Sequence, residues 1–294
     1  MTTQRTIRKA CLLLPIVSII LSSNCFAQQA DNNLKISRKT GYAPVNGIKI
    51  YYEVQGEGKP ILLLHGSFFT IEMNWSRLMP ELAKTRKVIA IEMQGHGRTL
   101  DSDKPISHKS LASDVAAVMK YLKIDSADIL GYSLGGRIAF QLAIQNPEIV
   151  RNLIILSSTY RADGWQPEVR NALQALQPAF FDNTPLRTEY FRVAPDTTHW
   201  HKFLSKIIAF NNTNYNLGDE NIKSIKVPVL LIAGDNDGID KNILADTYKL
   251  LGGCVFGDMT QVPKSQLSII PGTTHVSILM ETEKILLATN SFLK

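Results

Sequence analysis

Cysteine is scarce in this chain: three residues, Cys11, Cys25 and Cys254, occur among 294. This excludes a small secreted domain held together by disulfides, because such domains carry many closely spaced cysteines. Charged residues make up 20% of the chain and hydrophobic residues 45%, which excludes an intrinsically disordered protein. The length is sufficient for one large core, since single α/β domains often exceed about 200 residues.

Hydrophobic runs long enough to cross a membrane are also absent. The apolar run Ala10–Leu21 has 12 residues, whereas a membrane span needs about 20. It follows the basic side chains of Arg5, Arg8 and Lys9 and precedes small residues that end at Ala27, an arrangement typical of a secretory signal. We therefore predict a signal peptide over residues 1–27 and an exported protein, periplasmic or secreted, without stable membrane insertion. An uncleaved anchor, a buried N-terminal helix and a lipoprotein attached at Cys25 are the alternatives.

The excess of positive charge is small and partly confined to the predicted signal. There are 32 basic and 26 acidic residues, which gives a formal net charge of +6. Removing the three basic residues of the signal, which contains no acidic residue, leaves +3. Because a nucleic-acid-binding surface needs clustered basic residues and none are clustered here, we expect no nucleic-acid partner.

Short apolar runs alternate with helical patterns along the rest of the chain. The runs are typical of strands buried on both faces: Ile61–Leu64, Val88–Ile91, Leu153–Leu156, Val229–Ile232 and the weaker Asp128–Leu130. Leu267–Ile270 is predicted to form a further strand. Asn46-Gly47 predicts a hairpin turn before a further strand, Ile48–Val54. Helices are predicted over Trp75–Lys84, Leu111–Leu122, Leu134–Gln145, Lys241–Leu251 and Ser277–Phe292. The alternation predicts an α/β fold with a doubly wound, mostly parallel sheet.

Residues 160–224 interrupt this alternation, because they contain no strand-like run and many aromatic residues. We predict a mostly helical insertion there, between two strands of a core made of residues 28–159 and 225–294. Most of its aromatic side chains are expected to pack the insertion onto the sheet, and some to line a pocket over the end of the sheet.

A glycine-rich turn, Gly131-Tyr132-Ser133-Leu134-Gly135, lies between a predicted strand and a predicted helix. Such a turn holds its serine on a strained backbone, and the flanking glycines avoid clashes between a Cβ and the neighbouring elements. Glycine-rich turns at this place also bind phosphate, but the Gly-Lys-Ser/Thr of a phosphate-binding loop is missing. We therefore predict that Ser133 is a nucleophile.

A serine nucleophile requires a base and an acid that orients it. In a doubly wound sheet, both come from loops at the carboxyl ends of strands. His275 fits the base, because it follows a predicted strand and a turn, whereas His108 is expected to be a solvated surface residue. Asp235 and Asp237 follow another predicted strand, and both are candidates for the acid.

Four motifs resemble those of the α/β-hydrolase family, in the family's order, and together they cover nearly all of the chain after the signal. They are the loop His65-Gly66-Ser67-Phe68, the turn Glu92–Thr99, the turn around Ser133, and the pair formed by Gly-x-x-Asp237 and His275. The turn Glu92–Thr99 looks like the family's Asp-x-x-Gly-x-Gly-x-Ser, with Glu, Gln and Thr as conservative departures.

The resemblance implies roles for particular residues. It favours Asp237 over Asp235 as the acid, which completes a catalytic triad with Ser133 and His275. It implies an oxyanion hole formed by the backbone N–H groups of Ser67 and Leu134. The insertion corresponds to the family's helical cap, which supplies most substrate contacts, and the residues expected at the substrate are Phe68, Tyr132, Trp165 and Trp200.

The resemblance also bounds the activity. Haloalkane dehalogenases and epoxide hydrolases of this fold carry aspartate where this chain has Ser133, so we predict a serine hydrolase that cleaves a small or medium carboxylic ester through an acyl-enzyme. C–C bond hydrolases, lactonases and proline iminopeptidases share the triad and remain alternatives, as does a ligand-binding relative without activity. We expect no metal and no cofactor, because the histidines are scattered and no dinucleotide fingerprint is present.

The segment Gly252–Gln266 is longer than the corresponding link in the family pattern. It is expected either to border the site near His275 or to cover an edge of the sheet, and the second is favoured. Cys254, within this segment, is not expected to be a nucleophile because no strand–turn–helix context surrounds it.

Overall fold

The computed structural model describes residues 37–294, so the predicted signal peptide, residues 1–27, lies outside the described residues. Eight strands form one sheet: β1 Arg38–Val45, β2 Ile48–Gln55, β3 Pro60–Leu64, β4 Lys87–Ile91, β5 Ala127–Tyr132, β6 Val150–Leu156, β7 Val229–Asn236 and β8 Gln266–Thr274. Their order across the sheet is β1-β2-β4-β3-β5-β6-β7-β8. The β1–β2 and β2–β4 pairs are antiparallel, and the other pairs are parallel. The predicted fold class, a doubly wound and mostly parallel sheet, is confirmed.

Eleven helices are found in the described part of the chain: α1 Ile71–Trp75, α2 Leu78–Leu82, α3 His108–Tyr121, α4 Leu134–Gln145, α5 Pro167–Gln174, α6 Pro185–Val193, α7 Trp200–Asn211, α8 Asp219–Ser224, α9 Lys241–Leu250, α10 Gly257–Thr260 and α11 Thr282–Phe292. Short 3-10 turns occupy Pro147–Ile149, Ala162–Gly164, Pro178–Phe181, Thr197–His199 and Ser277–Met280.

Alternate residues of the central strands pack into two separate apolar cores. In β3, Leu62 and Leu64 belong to the core that includes α3 and α4, whereas Ile61 and Leu63 belong to the core on the other face, with α1, α2 and α11. Side chains of a strand point alternately to the two faces of the sheet, so a strand covered on both faces has no polar side. This explains the unbroken apolar runs.

The hairpin turn at Asn46-Gly47 is confirmed, and both residues have positive φ, 50° and 86°. The predicted helix Trp75–Lys84 is wrong in its extent, because two short helices, α1 and α2, replace it. Pro80 lies in α2, where it has no N–H to donate to Ser76 and its ring would clash with that carbonyl in a continuous helix. The predicted helix Ser277–Phe292 likewise divides into a 3-10 turn and α11.

The insertion between β6 and β7 contains α5, α6, α7 and α8 and, among the described residues, no strand of the sheet. Its apolar residues, such as Leu186, Phe203 and Ile207, are buried in the same core as α3 and α4. We call residues 160–224 the cap. No helix within residues 37–294 has the length and apolar character required to cross a membrane.

The segment Gly252–Gln266 enters β8 at Gln266, whereas His275 follows the other end of that strand. Nine residues of β8 separate the two ends, a length of roughly 30 Å at about 3.3 Å per residue. The segment therefore leads into the end of the strand that is remote from His275. Its large apolar side chains are exposed: Val255, Phe256, Met259 and Val262.

Candidate active site

Ser133 lies in the tight turn between β5 and α4, with φ 53° and ψ −112°. Positive φ is unfavourable for a residue with a Cβ, so the surrounding elements must hold this conformation. The N–H of Ser133 donates to the carbonyl of Leu156 at 3.0 Å, and its carbonyl accepts from the hydroxyl of Ser158 at 2.6 Å. The serine side chain is thereby raised above the carboxyl end of the sheet, where it is half-buried.

The two glycines that flank this turn are required by close backbone packing. A Cβ on Gly131 would overlap the carbonyl of Gly135, and a Cβ on Gly135 would overlap the carbonyl of Leu64. Neither neighbour is a flexible side chain, so neither can move aside without displacing backbone. Glycine is therefore required at both positions, as predicted from the turn pattern.

Ser133, His275 and Asp237 form one hydrogen-bonded chain. The Nε2 atom of His275 lies 3.1 Å from the Oγ of Ser133, and its Nδ1 atom lies 3.0 Å from Oδ1 of Asp237. The imidazole side chain is 28% exposed, whereas Asp237 is buried. A serine hydroxyl beside an imidazole that is oriented by a buried carboxylate is the arrangement that activates a serine for nucleophilic attack.

The two aspartates after β7 have different surroundings. Burial on its own would raise the pKa of Asp237, but the charge of His275 and its hydrogen bond outweigh burial, so the pKa is lowered. Asp235 is exposed, and its carboxylate accepts from the backbone N–H of Thr273 at 3.1 Å. The structure therefore brings Asp237, and not Asp235, to the imidazole, and the carboxylate of Asp237 is ionised at neutral pH.

Aromatic rings hold the imidazole of His275 from two sides. The ring of Tyr132 stacks on it with centroids 5.2 Å apart, and Trp165, from the cap, approaches edge-on at 5.2 Å. The hydroxyl of Tyr132 also donates to the carbonyl of His275 at 2.8 Å. These contacts limit rotation of the imidazole and keep Nε2 directed at the serine.

The other two aromatic residues expected at the substrate are placed differently. Phe68, the last residue of the predicted oxyanion loop, packs against Phe181 of the cap with centroids 4.9 Å apart. Trp200 is 3% exposed and packs against Tyr190 and Phe203 within the cap. Among residues 37–294, the aromatic contacts of Trp200 are all with cap residues, so the structure does not bring this side chain into the cluster around His275.

The predicted oxyanion donors lie on adjacent loops. Leu64 of β3 pairs with Gly131 of β5, so the loops that follow these strands begin side by side. Ser67 is three residues beyond the first and Leu134 three beyond the second. Within residues 37–294, the N–H of neither Ser67 nor Leu134 donates to a protein acceptor. Both N–H groups are therefore available to bind an oxygen near Ser133.

His65 and His96 contact each other and the backbone that follows β4. Nε2 of His65 accepts from the N–H of Met93 at 3.0 Å, and the two imidazole rings contact each other at 4.7 Å. Burial lowers the pKa of His65 well below its usual range and that of His96 to about 4. Both imidazoles are therefore neutral at pH 7 and serve a structural role.

Glu92, the departure from the family's aspartate, is fully buried and pairs with Arg98 at 2.8 Å. Burial raises its pKa to about 7, although Arg98 acts in the opposite direction. The hydroxyl of Thr99 donates to the carbonyl of Glu92 at 2.6 Å and accepts from the N–H of Tyr51 at 2.9 Å. Through these hydrogen bonds, Glu92 and Thr99 connect the turn to strand β2 of the sheet.

The prediction that His108 is a solvated surface residue is wrong. Its ring lies between Phe210 and Tyr215 of the cap, 4.8 Å from each, and its Nε2 is buried without a hydrogen-bond partner in the described structure. The start of α3 is covered by the cap here, which the local sequence does not indicate. Burial, followed by the charge of Arg137, lowers the pKa of His108 to about 3.

A polar contact between the cap and the oxyanion loop was not predicted from the sequence. The side-chain oxygen of Asn211, the last residue of α7, accepts from the hydroxyl of Ser67 at 3.2 Å and from Nη2 of Arg137 at 2.6 Å. A second missed residue is Asn74, whose side-chain oxygen accepts from the N–H of Gly66 at 2.7 Å. No sequence motif marks either asparagine, and Asn211 lies 144 residues from Ser67.

Among residues 37–294, no three His, Cys, Asp or Glu side chains are grouped so that they could hold a metal ion.

The chain is similar in sequence to known hydrolases. The chain is 39% identical over 115 residues to 2-hydroxymuconate semialdehyde hydrolase from Pseudomonas sp. (strain CF600), an alignment that covers 38% of this chain and 41% of that enzyme. It is 34% identical over 120 residues to soluble epoxide hydrolase from Corynebacterium sp. (strain C12), covering 39% and 40%. The chain thus spans about two fifths of the length of these relatives.

Among solved structures, Est816, described as an N-acyl homoserine lactone degrading enzyme, matches with a TM-score of 0.63 and 27% identity. The match covers 86% of this chain and 100% of that chain. A family model described as alpha/beta hydrolase fold matches residues 59–207, which is half of the chain and includes Ser67 and Ser133. The resemblance expected from the four motifs is thereby confirmed, and this chain belongs to the α/β-hydrolase family.

Proposed function

We propose that this member of the hydrolase family is an exported serine hydrolase that cleaves a small or medium carboxylic ester through an acyl-enzyme. The observation that supports the proposal most strongly is the hydrogen-bonded chain from Ser133 through His275 to the buried Asp237. Such a chain both activates a hydroxyl and stores its proton, which are the two requirements of acyl transfer at neutral pH.

In the proposed reaction, Ser133 Oγ attacks the ester carbonyl while His275 Nε2 accepts the hydroxyl proton. The carbonyl oxygen becomes an oxyanion, held by the N–H groups of Ser67 and Leu134. The C–O bond then breaks, the imidazolium returns its proton to the departing alcohol, and the acyl group remains on the serine. Water, deprotonated by the same imidazole, attacks the acyl carbon and releases the acid. Throughout, Asp237 stabilises the imidazolium without itself becoming protonated.

The preferred substrate is inferred from the apolar surroundings of the triad. Tyr132 and Trp165 flank the imidazole, and the Phe68–Phe181 pair lies next to the oxyanion loop. Such a lining favours an apolar acyl or aryl group, because burial of its surface is favourable by about 25 cal/mol per Å². The likeness to Est816, which is described as degrading a lactone, supports an ester-type bond, since a lactone is a cyclic ester.

The test is hydrolysis of p-nitrophenyl esters by wild type and Ser133→Ala, with labelling by a fluorophosphonate probe in parallel. We expect wild type to turn over acetate and butyrate esters and to be labelled. Ser133→Ala should lose labelling entirely and reduce kcat by a factor of roughly 10⁵ or more, since the nucleophile is removed. Absence of both turnover and labelling in folded wild type would refute the proposal. Ligand binding without turnover would favour a non-catalytic relative.

A second candidate is hydrolysis of a C–C bond, favoured by the 39% identity over 115 residues to 2-hydroxymuconate semialdehyde hydrolase. The same triad can serve that reaction, so the fold does not separate the two. Assaying a vinylogous 1,5-diketone beside the esters discriminates them: a kcat/KM for the diketone above that for every ester would replace the ester proposal.

Export is proposed from the sequence of residues 1–27 and is tested separately. Expression of the full chain in a Gram-negative host should yield activity in the periplasm or medium, with a mature N-terminus near Gln28 by mass spectrometry. Full-length protein retained in the cytoplasm would contradict export while leaving the hydrolase proposal intact.

A further inference from the structure

We propose that Asn211 of the cap is a positioning residue for the oxyanion-hole loop. Its contact with Ser67 holds the backbone N–H of Ser67 in the orientation that binds the oxyanion. The inference rests on the proposed serine hydrolase function. Its basis is that one atom, Oδ1 of Asn211, accepts two hydrogen bonds, from Oγ of Ser67 at 3.2 Å and from Nη2 of Arg137 at 2.6 Å.

The first bond restrains the residue that would bind the oxyanion. Ser67 contributes its backbone N–H, and a bond to its side chain limits rotation of the peptide that carries this donor. The next residue, Phe68, has φ 68°, a conformation unfavourable for a residue with a Cβ, so the loop needs external support. That support comes from the cap at both residues, since Phe68 packs against Phe181 of the cap.

The second bond fixes Asn211 itself. Arg137 follows Ser133 by one turn of α4, is 4% exposed, and lies over the cap rings of Phe210 and Tyr215 at 5.5 and 4.8 Å. Among residues 37–294, no carboxylate lies within ion-pair distance of this guanidinium. A buried charge of this kind needs hydrogen-bond acceptors. Arg137 therefore orients the Asn211 side chain with its oxygen toward both donors.

The three residues come from three parts of the fold: the loop after β3, the helix that follows the nucleophile, and the last turn of α7 in the cap. Asn211 joins them through a single atom, whereas the apolar contacts of the cap do not involve it. Loss of the amide should therefore leave the cap in place and affect alignment of the Ser67 N–H. Because an oxyanion donor acts mainly in the transition state, the effect should fall on kcat rather than KM.

The experiment is a double-mutant cycle on p-nitrophenyl acetate hydrolysis with Ser67→Ala, Asn211→Ala and the combined variant. Each single variant is expected to lower kcat about tenfold and to change KM less than about twofold, as for loss of one aligned hydrogen bond. The combined variant should be reduced about tenfold as well, rather than a hundredfold, because both changes remove the same interaction.

The neighbouring Asn212→Ala is the matched control, since this exposed amide bonds instead to the carbonyl of Leu173 at 3.3 Å. Its kcat should equal that of wild type. Thermal melts by circular dichroism establish that each variant is folded. If Asn211→Ala does not fold, Ser67→Ala still tests the inference, because it leaves the Arg137–Asn211 bond intact and should show the same fall in kcat.

Additive losses in the combined variant, or a loss confined to KM, would overturn the role of Asn211. So would a kcat unchanged in folded Asn211→Ala or Ser67→Ala. Each of these outcomes leaves wild type active and labelled at Ser133, whereas failure of the serine hydrolase proposal would appear as inactive, unlabelled wild type.

Discussion

Replacement of His108 by phenylalanine should make the protein's stability less sensitive to acid. His108 lies between the rings of Phe210 and Tyr215, and burial followed by the charge of Arg137 lowers its pKa to about 3. In the unfolded chain, the histidine pKa is about 6.5. Because the folded-state pKa is the lower of the two, the stabilisation is present above pH 6.5 and is lost as the pH falls.

The size of the effect follows from these two pKa values. At pH 5, which is about 1.5 units below the unfolded-state pKa, His108 is protonated in the unfolded chain. In the folded protein it stays neutral, because its pKa there is about 3. At about 1.4 kcal/mol per unit, this favours the unfolded state by about 2 kcal/mol. His108→Phe removes this contribution and, at the same time, the unpartnered Nε2 atom, while a ring still fills the space between Phe210 and Tyr215.

The measurement is urea unfolding at pH 7.5 and pH 5 and constant ionic strength, followed by tryptophan fluorescence. Wild type should lose about 2 kcal/mol more than His108→Phe over this interval, with similar m-values. Ile207→Val, a fully buried cap residue, is the control: it should lower stability by about 1 kcal/mol at both pH values alike. Equal losses in wild type and His108→Phe would refute the assigned pKa.

Three further predictions concern the site. Gly135→Ala should lower the free energy of unfolding by about 3 kcal/mol or more in urea titration, because its Cβ would overlap the backbone carbonyl of Leu64; a near-neutral change would contradict that packing. Asp237→Asn should lower kcat for ester hydrolysis by roughly 10³–10⁴ without loss of fold, since an amide favours the wrong imidazole tautomer; a fall below tenfold would exclude its role. Tyr132→Phe should cost ~1 kcal/mol of stability, since it removes the 2.8 Å bond to the carbonyl of His275, and an unchanged Tm would show that the bond contributes nothing.

The strand–helix alternation and the Ser133 turn were predictable because they depend on residues close together in sequence. A strand such as β3 reads as an apolar run when both of its faces are buried, and the turn needs glycine at fixed distances from the serine. The wrong extent of the predicted helix Trp75–Lys84 also has a cause that lies in the local sequence. Pro80 marks a helix break that the apolar pattern around it concealed.

The site was only partly predictable, because its residues are far apart in sequence and are brought together only by the fold. His275 and Asp237 are 38 residues apart, and the choice between Asp237 and Asp235 depended on family resemblance until the fold placed one carboxylate at the imidazole. Trp165 reaches His275 from the cap, whereas Trp200, equally aromatic in sequence, packs inside it. Identical residue types in one segment thus take different roles.

The amino-acid pattern alone was sufficient for the fold class, the family and the candidate nucleophile, since periodicity and turn geometry are properties of a few neighbouring residues. Packing in three dimensions was necessary to show that the His108 ring packs against Phe210 and Tyr215 of the cap and that Asn211 contacts Ser67 across 144 residues. Such contacts join segments whose proximity depends on the position of the whole cap over the sheet, and no local sequence pattern records that position.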